Sequence, residues 1–422
     1  MKKVLVLLLI GLSLIAGSIE EAVEAFKNGN YKTALELSQP LAVQGNPKAQ
    51  NTLGLIYLRG LDVTIDYKEA FQWFKKAANQ DYVKAQSNLG YMYREGKGVL
   101  KDLNKAAMWD KKAANLGHAV SQYNLGVFYK NGNGTPKDLK KAVMWYEKAA
   151  LQGYKSAQRN LGMIYLNGTQ DIQQDFKKAF LLLTKAALQG DKKAQYNLAA
   201  MYAKGDGTRK DKTEAFKWHK KAALQNETRS QYNIAVMYEK GDGTKKNINK
   251  ALEWYKKSAI QGNKNAQYNL ATFYEQGIDV KKDLNKAAVW YEKAALQEDK
   301  QAQYNLGLLY LNGDGVKKNI DKSLQWFEKS AIHGEIQAQY NLGIIYSSDN
   351  TVKDLKKAFI WFKKAALQGF PKSQHNIAYM YINGIGVPKN IKEGVKWYKI
   401  ASENGSKEAK ETWEKYKLWK YE

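Results

Sequence analysis

The chain has 422 residues, with 67 Lys and Arg against 41 Asp and Glu and a formal net charge of +26. It contains no cysteine, which excludes disulfides, thiolate metal sites, iron–sulfur clusters and a cysteine nucleophile. Only five prolines, set among abundant Tyr, Trp, Leu and Ala, argue for a folded chain rather than a disordered one.

The chain opens with Lys2 and Lys3, an apolar run from Val4 to Ile15, and then Ala16-Gly17-Ser18. Small residues at −3 and −1 predict a cleaved secretory signal over residues 1–18, and an exported product that is periplasmic or secreted. The run falls short of the ~20 apolar residues a membrane span needs, and no later segment is apolar for longer. Residues 19–44 read as a helical hairpin, from Ala22-Val23-Glu24-Ala25-Phe26 and Tyr31-Lys32-Thr33-Ala34-Leu35.

A period then takes over. The motif [A/S]-Q-x-[N/T]-[L/I]-[G/A]-x-x-Y ends at Tyr57, Tyr93, Tyr129, Tyr165, Tyr202, Tyr238, Tyr274, Tyr310, Tyr346 and Tyr381, with spacings of 36 residues except for one of 37 and one of 35. Both departures fall between that Tyr and the next Asp or Asn, which marks the segment as a surface turn. A fixed period in this range is the signature of a solenoid.

Each unit reads as two helices. In the third, Leu125, Phe128 and Tyr129 lie at i, i+3 and i+4 on one apolar face. Gly132-Asn133-Gly134 ends that helix, and Asp138 caps the next. Asp or Asn recurs at Asp66, Asp102, Asp175, Asp211, Asn247, Asp283, Asn319, Asp354 and Asn390. On the second helix Ala142, Trp145, Tyr146 and Ala149 form a small–large–large–small stripe. The Trp recurs in every other unit except the fourth, where Leu182 stands instead. Glycine follows the second helix at Gly45, Gly117, Gly153, Gly190, Gly262, Gly334, Gly369 and Gly405. Asp81, Asn226 and Glu298 are the exceptions, and their turns are expected to be less stable. Residues 405–422 read as a charged capping helix, because nothing stacks on a terminal repeat.

This pattern, A-Q-Y-N-L-G-x-x-Y, then G-x-G, a capping Asp, K-A-x-x-W-Y-x-K-A-A and Q-G over residues 45–404, resembles the Sel-1-like repeats of the tetratricopeptide superfamily. The resemblance implies an all-α solenoid of antiparallel helix pairs wound into a right-handed superhelix. It also implies a scaffold or adaptor role, including exported bacterial members that regulate envelope partners or meet host proteins. On the superfamily's pattern the residue after the motif Gln, and those four and seven positions on, face a concave groove. The first of these positions holds Asn51, Ser87, Tyr123, Arg159, Tyr196, Tyr232, Tyr268, Tyr304, Tyr340 and His375. The last eight are the candidate partner contacts. The tyrosines either form a binding ladder or pack between successive first helices, and both readings stand at this level. The neighbouring asparagines, Asn88 to Asn376, read as amides bridging helices or as a clamp on a peptide backbone.

No catalytic constellation emerges. The four histidines His118, His219, His333 and His375 make no H-E-x-x-H and no pair on one helical face, so no metal or cofactor is expected. The G-x-G pairs sit in helix–helix turns rather than between a strand and a helix. Cysteine-rich relatives of the family are described as β-lactamases, but their cysteines are missing here. A lactam or cell-wall hydrolase is therefore the remote alternative. The expected partner is an acidic protein or peptide, with nucleic acid disfavoured by the export signal. Lysines in K-K-A-A segments and turns make the other alternative a polycationic binder of anionic envelope glycolipid or polymer.

Overall fold

The computed structural model describes residues 18–416 and 418–421. Apart from Ser18, the proposed signal peptide lies outside them. Among the described residues there are 23 α-helices and no strand, and within each unit successive helices pack on one another. The architecture is an all-α solenoid of helix pairs. Contacts divide it into two compact units, Met1–Ala222 and Ala223–Glu422. The first starts with the hairpin Ile19–Lys27 and Tyr31–Val43, followed by pairs from Pro47–Arg59 and Tyr67–Ala78 onward. The second runs from the pair Thr228–Lys240 and Ile248–Ile260 to the helix Lys407–Lys415 and a short 3-10 turn, Leu418–Tyr421.

The third repeat shows why these residues fold this way. Helix Ala119–Asn131 buries Leu125 and Phe128, and helix Leu139–Leu151 buries Ala142, Trp145, Tyr146 and Ala149. Mid-helix Gly126 is small for a reason: a Cβ there would lie 2.7 Å from the Tyr146 ring. The G-x-G that follows has two separate jobs. Gly132 takes the left-handed cap conformation at φ +75, while a Cβ on Gly134 would stand 2.1 Å from the Leu103 carbonyl oxygen of the preceding repeat. One glycine ends the helix, and the other lets two repeats touch.

The turn is closed by the cap. Asp138 donates its N–H to the Tyr129 carbonyl at 2.8 Å, and its Oδ1 accepts from the Lys141 N–H at 2.9 Å. Where the turn is longer, Asp175 still reaches Tyr165 at 2.9 Å, and where it is shorter Asp354 reaches Tyr346 at 2.8 Å. Length variation is absorbed by the loop without moving the helices. At the other end of the second helix, Asp81, Asn226 and Glu298 adopt φ of +58, +58 and +61, the strained region that glycine occupies elsewhere.

Lysines have intramolecular posts at two recurring places. The second lysine of the K-K-A-A segments stands over the Trp three residues before it. Lys148 lies 4.4 Å from the Trp145 ring centre and Lys221 4.0 Å from that of Trp218, with six further repeats alike. A second lysine, three residues after the cap, covers the motif Tyr and pairs with the capping Asp, as Lys141 does 5.6 Å from Tyr129 and 3.0 Å from Asp138.

Candidate first-helix binding face

The motif Gln is the hinge pin of each repeat junction. Gln122 donates to the Ala114 carbonyl at 3.2 Å, near the end of the preceding second helix, where that oxygen also accepts the Gly117 N–H at 3.1 Å. Its own Oε1 accepts from Gln152 at 2.8 Å, the last polar residue of the repeat's second helix. The same linkage recurs at Gln158 with Gln189, Gln267 with Gln297, and Gln339 with Gln368. In the sequence A-Q and Q-G stand as separate motif letters. Their pairing over about thirty residues carries no local signal.

The residue after that Gln is partly buried in every candidate position. Tyr123 lies 5.7 Å from the ring of Tyr146 and 5.1 Å from Tyr154. Tyr196 packs on His219 at 5.6 Å. In the second unit Tyr232, Tyr268, Tyr304 and Tyr340 pack on Tyr255, Tyr291, Phe327 and Phe362 at 5.6 to 5.9 Å, and His375 on Tyr398 at 5.3 Å. Each ring thus rests on the second helix of its own repeat. Burial pushes the Tyr232, Tyr304 and Tyr340 hydroxyls up from the ordinary phenol range and lowers the His375 imidazole. Arg159 is tied down, 2.6 Å from Asp191, the cap of the next repeat's first helix.

Three of the asparagines bridge repeats, while Asn197 donates back to the Lys193 carbonyl at 2.8 Å. Asn88 donates to Asn51 at 2.9 Å, Asn124 to Asp110 at 3.3 Å and Asn160 to the Tyr123 hydroxyl at 3.3 Å. Repeat two breaks the aromatic row with a carboxyl. Ser87 replaces the Tyr and Asp110 the ring beneath it. That carboxyl is wholly buried, its Oδ2 has no hydrogen-bond partner, and desolvation pushes its pKa up to about 6.

Open space lies four and seven positions beyond the motif Gln's successor. Between the first helices Ile336–Ser348 and Pro371–Asn383 is a cleft of about 460 Å³, lined by Ile344, Ser347, Asn376 and Tyr379, with Phe362 at its floor and Lys353 at its rim. Tyr379 is 51% exposed. Half-buried rings at the first position and an open cleft at the next two divide the predicted face into packing and access.

The family model for the Sel1 repeat matches ten consecutive segments, residues 47–82, 83–118, 119–154, 155–191, 192–227, 228–263, 264–299, 300–335, 336–370 and 371–406. The chain belongs to the Sel1 repeat family. It is similar to a solved protective antigen of uropathogenic Escherichia coli with an SLR fold, at 37% identity and a TM-score of 0.80 over 89% of this chain and 80% of that one. It is also similar to a Sel1 repeat protein from Oxalobacter formigenes, at 34% identity and a TM-score of 0.58 over 73% of this chain and 89% of that one. No curated protein matches the chain. Sel1 repeat proteins act as protein–protein interaction scaffolds, and the fold is typically a non-enzymatic one. Among the described residues no helix is long and apolar enough to cross a membrane.

Proposed function

We propose that this Sel1 repeat protein is an exported, non-enzymatic adaptor that holds an acidic protein or peptide on its first-helix face and so regulates an envelope enzyme or effector. The observation that carries the reading is the cleft between the first helices of repeats nine and ten, where apolar Ile344 and Tyr379 meet the donors Asn376 and Lys353. Buried aromatic anchors with a few polar groups are what a peptide recognition site needs. The buried titratable groups Asp110 and His219 sit within packed helices and line neither this cleft nor the one in repeats three and four.

Alanine at Tyr232, Tyr268 or Tyr304 would remove packing as well as contact, so it separates the two poorly. Tyr379→Ala and Ile344→Ala are the cleaner tests, applied to retention of envelope or secreted proteins by the immobilised chain. A partner lost from both variants while helicity is kept supports the reading; undiminished retention would sink it.

Export adds a second test. Ser18 caps Ile19–Lys27 in a reciprocal capping box with Glu21, at 3.1 and 3.0 Å. Cleavage after Ser18 would remove that cap, at a cost of about 1 kcal/mol to the helix. Mass spectrometry of the exported chain should find an N-terminus at Ile19, or one that keeps Ser18. A chain beginning at Met1 in the exported fraction would refute processing.

The glycolipid reading draws support from a different feature. In K-[A/S]-A-[L/I] segments, Leu224, Ile260, Leu296, Ile332 and Leu367 are 66 to 74% exposed, each following a lysine ordered over a tryptophan or placed beside one. Binding to anionic vesicles that survives 0.5 M salt at about a tenth of its low-salt strength would favour it.

A further inference from the structure

The tryptophan of the second helix occupies a slot whose composition recurs from repeat to repeat. Trp109 packs with Ala78, Leu89 and Tyr93; Trp145 with Ala114, Leu125 and Tyr129; Trp218 with Ala187, Leu198 and Tyr202; and Trp326 with Ala295, Leu306 and Tyr310. The slot therefore consists of an Ala at the end of the preceding second helix and a Leu and Tyr from the repeat's own first helix. A lysine at i+3 closes it, 4.0 to 4.4 Å above the indole.

Repeat four keeps the slot and lacks the indole. Ala150, Leu161 and Tyr165 stand at the equivalent places, but the residue is Leu182, and a cavity of about 420 Å³ opens there. Lys185, three residues on, lines it, as do Leu151 and Leu181, which are 87% and 55% exposed at its mouth. The Tyr165 wall is fixed by its hydroxyl donating to Glu147 at 3.0 Å and by Lys178 lying 5.2 Å from its ring.

We infer that this cavity is a docking site for an aromatic side chain of a partner protein, with tryptophan fitting best. The repeats of Trp109, Trp145, Trp218 and Trp326 show what the walls accept, since the same Ala, Leu and Tyr hold an indole in each. Lys185 is at the position from which its counterparts cover the ring, so a guest indole gains a cation–π contact as well as burial. A second copy of this chain is a poor source, because every tryptophan from Trp73 to Trp413 is buried or half-buried. The site lies within repeats three and four and requires nothing from the first-helix cleft, so either can fail without the other.

The probe is 5-fluoroindole, followed by fluorine NMR with the full chain. The expected result is saturable broadening at millimolar concentration. Leu182→Trp, which installs the residue of the other repeats, should weaken it at least tenfold while circular dichroism stays unchanged. Lys185→Ala, which leaves the walls intact, should weaken it roughly threefold. Absence of binding up to about 10 mM, or equal binding by wild type and Leu182→Trp, would overturn the assignment. Should Leu182→Trp lose helicity, Leu181→Glu at the exposed mouth replaces it, and unchanged binding by that variant would count equally against the site.

Discussion

The single residues that break the pattern are the most informative. Gln303 is buried, and its Oε1 has no partner because His333 stands where other repeats place the donating Gln. His333→Gln should therefore stabilise the protein by about 1 kcal/mol, read as a higher midpoint in urea. Asp110 breaks the row differently. Its carboxyl has a pKa of about 6, above the ordinary 3.8, so folding favours the neutral form. That contribution is complete below the ordinary value and is lost as pH rises through 6. Facing it are Gly90 and Arg94 on its own repeat's first helix, and Ser121 and Asn124 from the next repeat. Asp110→Asn should gain stability over wild type by about 2–3 kcal/mol more at pH 7 than at pH 4. The opposite trend comes from His219, held down to about 4 by burial, which favours its neutral form and costs stability as pH falls below 6.5. Comparing the variant with wild type at both pH values isolates Asp110 from it.

Within the helix pair, glycines that look alike in sequence carry different loads. A Cβ on Gly117 at the end of a second helix meets nothing within 4 Å, so Gly117→Ala incurs only the left-handed backbone strain, about 1 kcal/mol. Gly98, the second glycine of a G-x-G, would place its Cβ 2.0 Å from the Tyr67 carbonyl oxygen of the preceding repeat. Gly98→Ala should cost about 3 kcal/mol or more and loosen the junction between repeats one and two. Thermal melts of the two variants side by side check this; equal losses would show that the G-x-G contact does not hold the repeats together.

Across each unit, the array is held by junctions between neighbours. At the C-terminal end, Ala409 and Leu418 complete a small core with Ala378, Val395, Tyr398 and Ala401. Removing residues 405–422 uncovers that core. Amide exchange should accelerate through Ile391–Glu403 and leave Thr228–Lys240 nearly unchanged, since repeats contact only their neighbours. Exchange that rises uniformly would mean the unit unfolds as one body.

Helix pairs, caps, turn glycines and the period were all legible in the residues, because each depends on contacts within about a dozen positions. Asp138 at a helix start and Gly132 at a helix end state their roles locally. The candidate face was legible only in outline. That Tyr232 and Tyr304 rest on Tyr255 and Phe327 depends on how the second helix packs back on the first. The Gln122–Gln152 linkage, the lysine posts over tryptophan, and the lone carboxyl at Asp110 likewise exist only once helices meet. The substitution Leu182 was visible as one letter in a column, yet a missing indole becomes a cavity only when neighbouring helices hold its walls in place. Propensity and capping are local free energies, whereas burial and access are set by side chains distant in sequence.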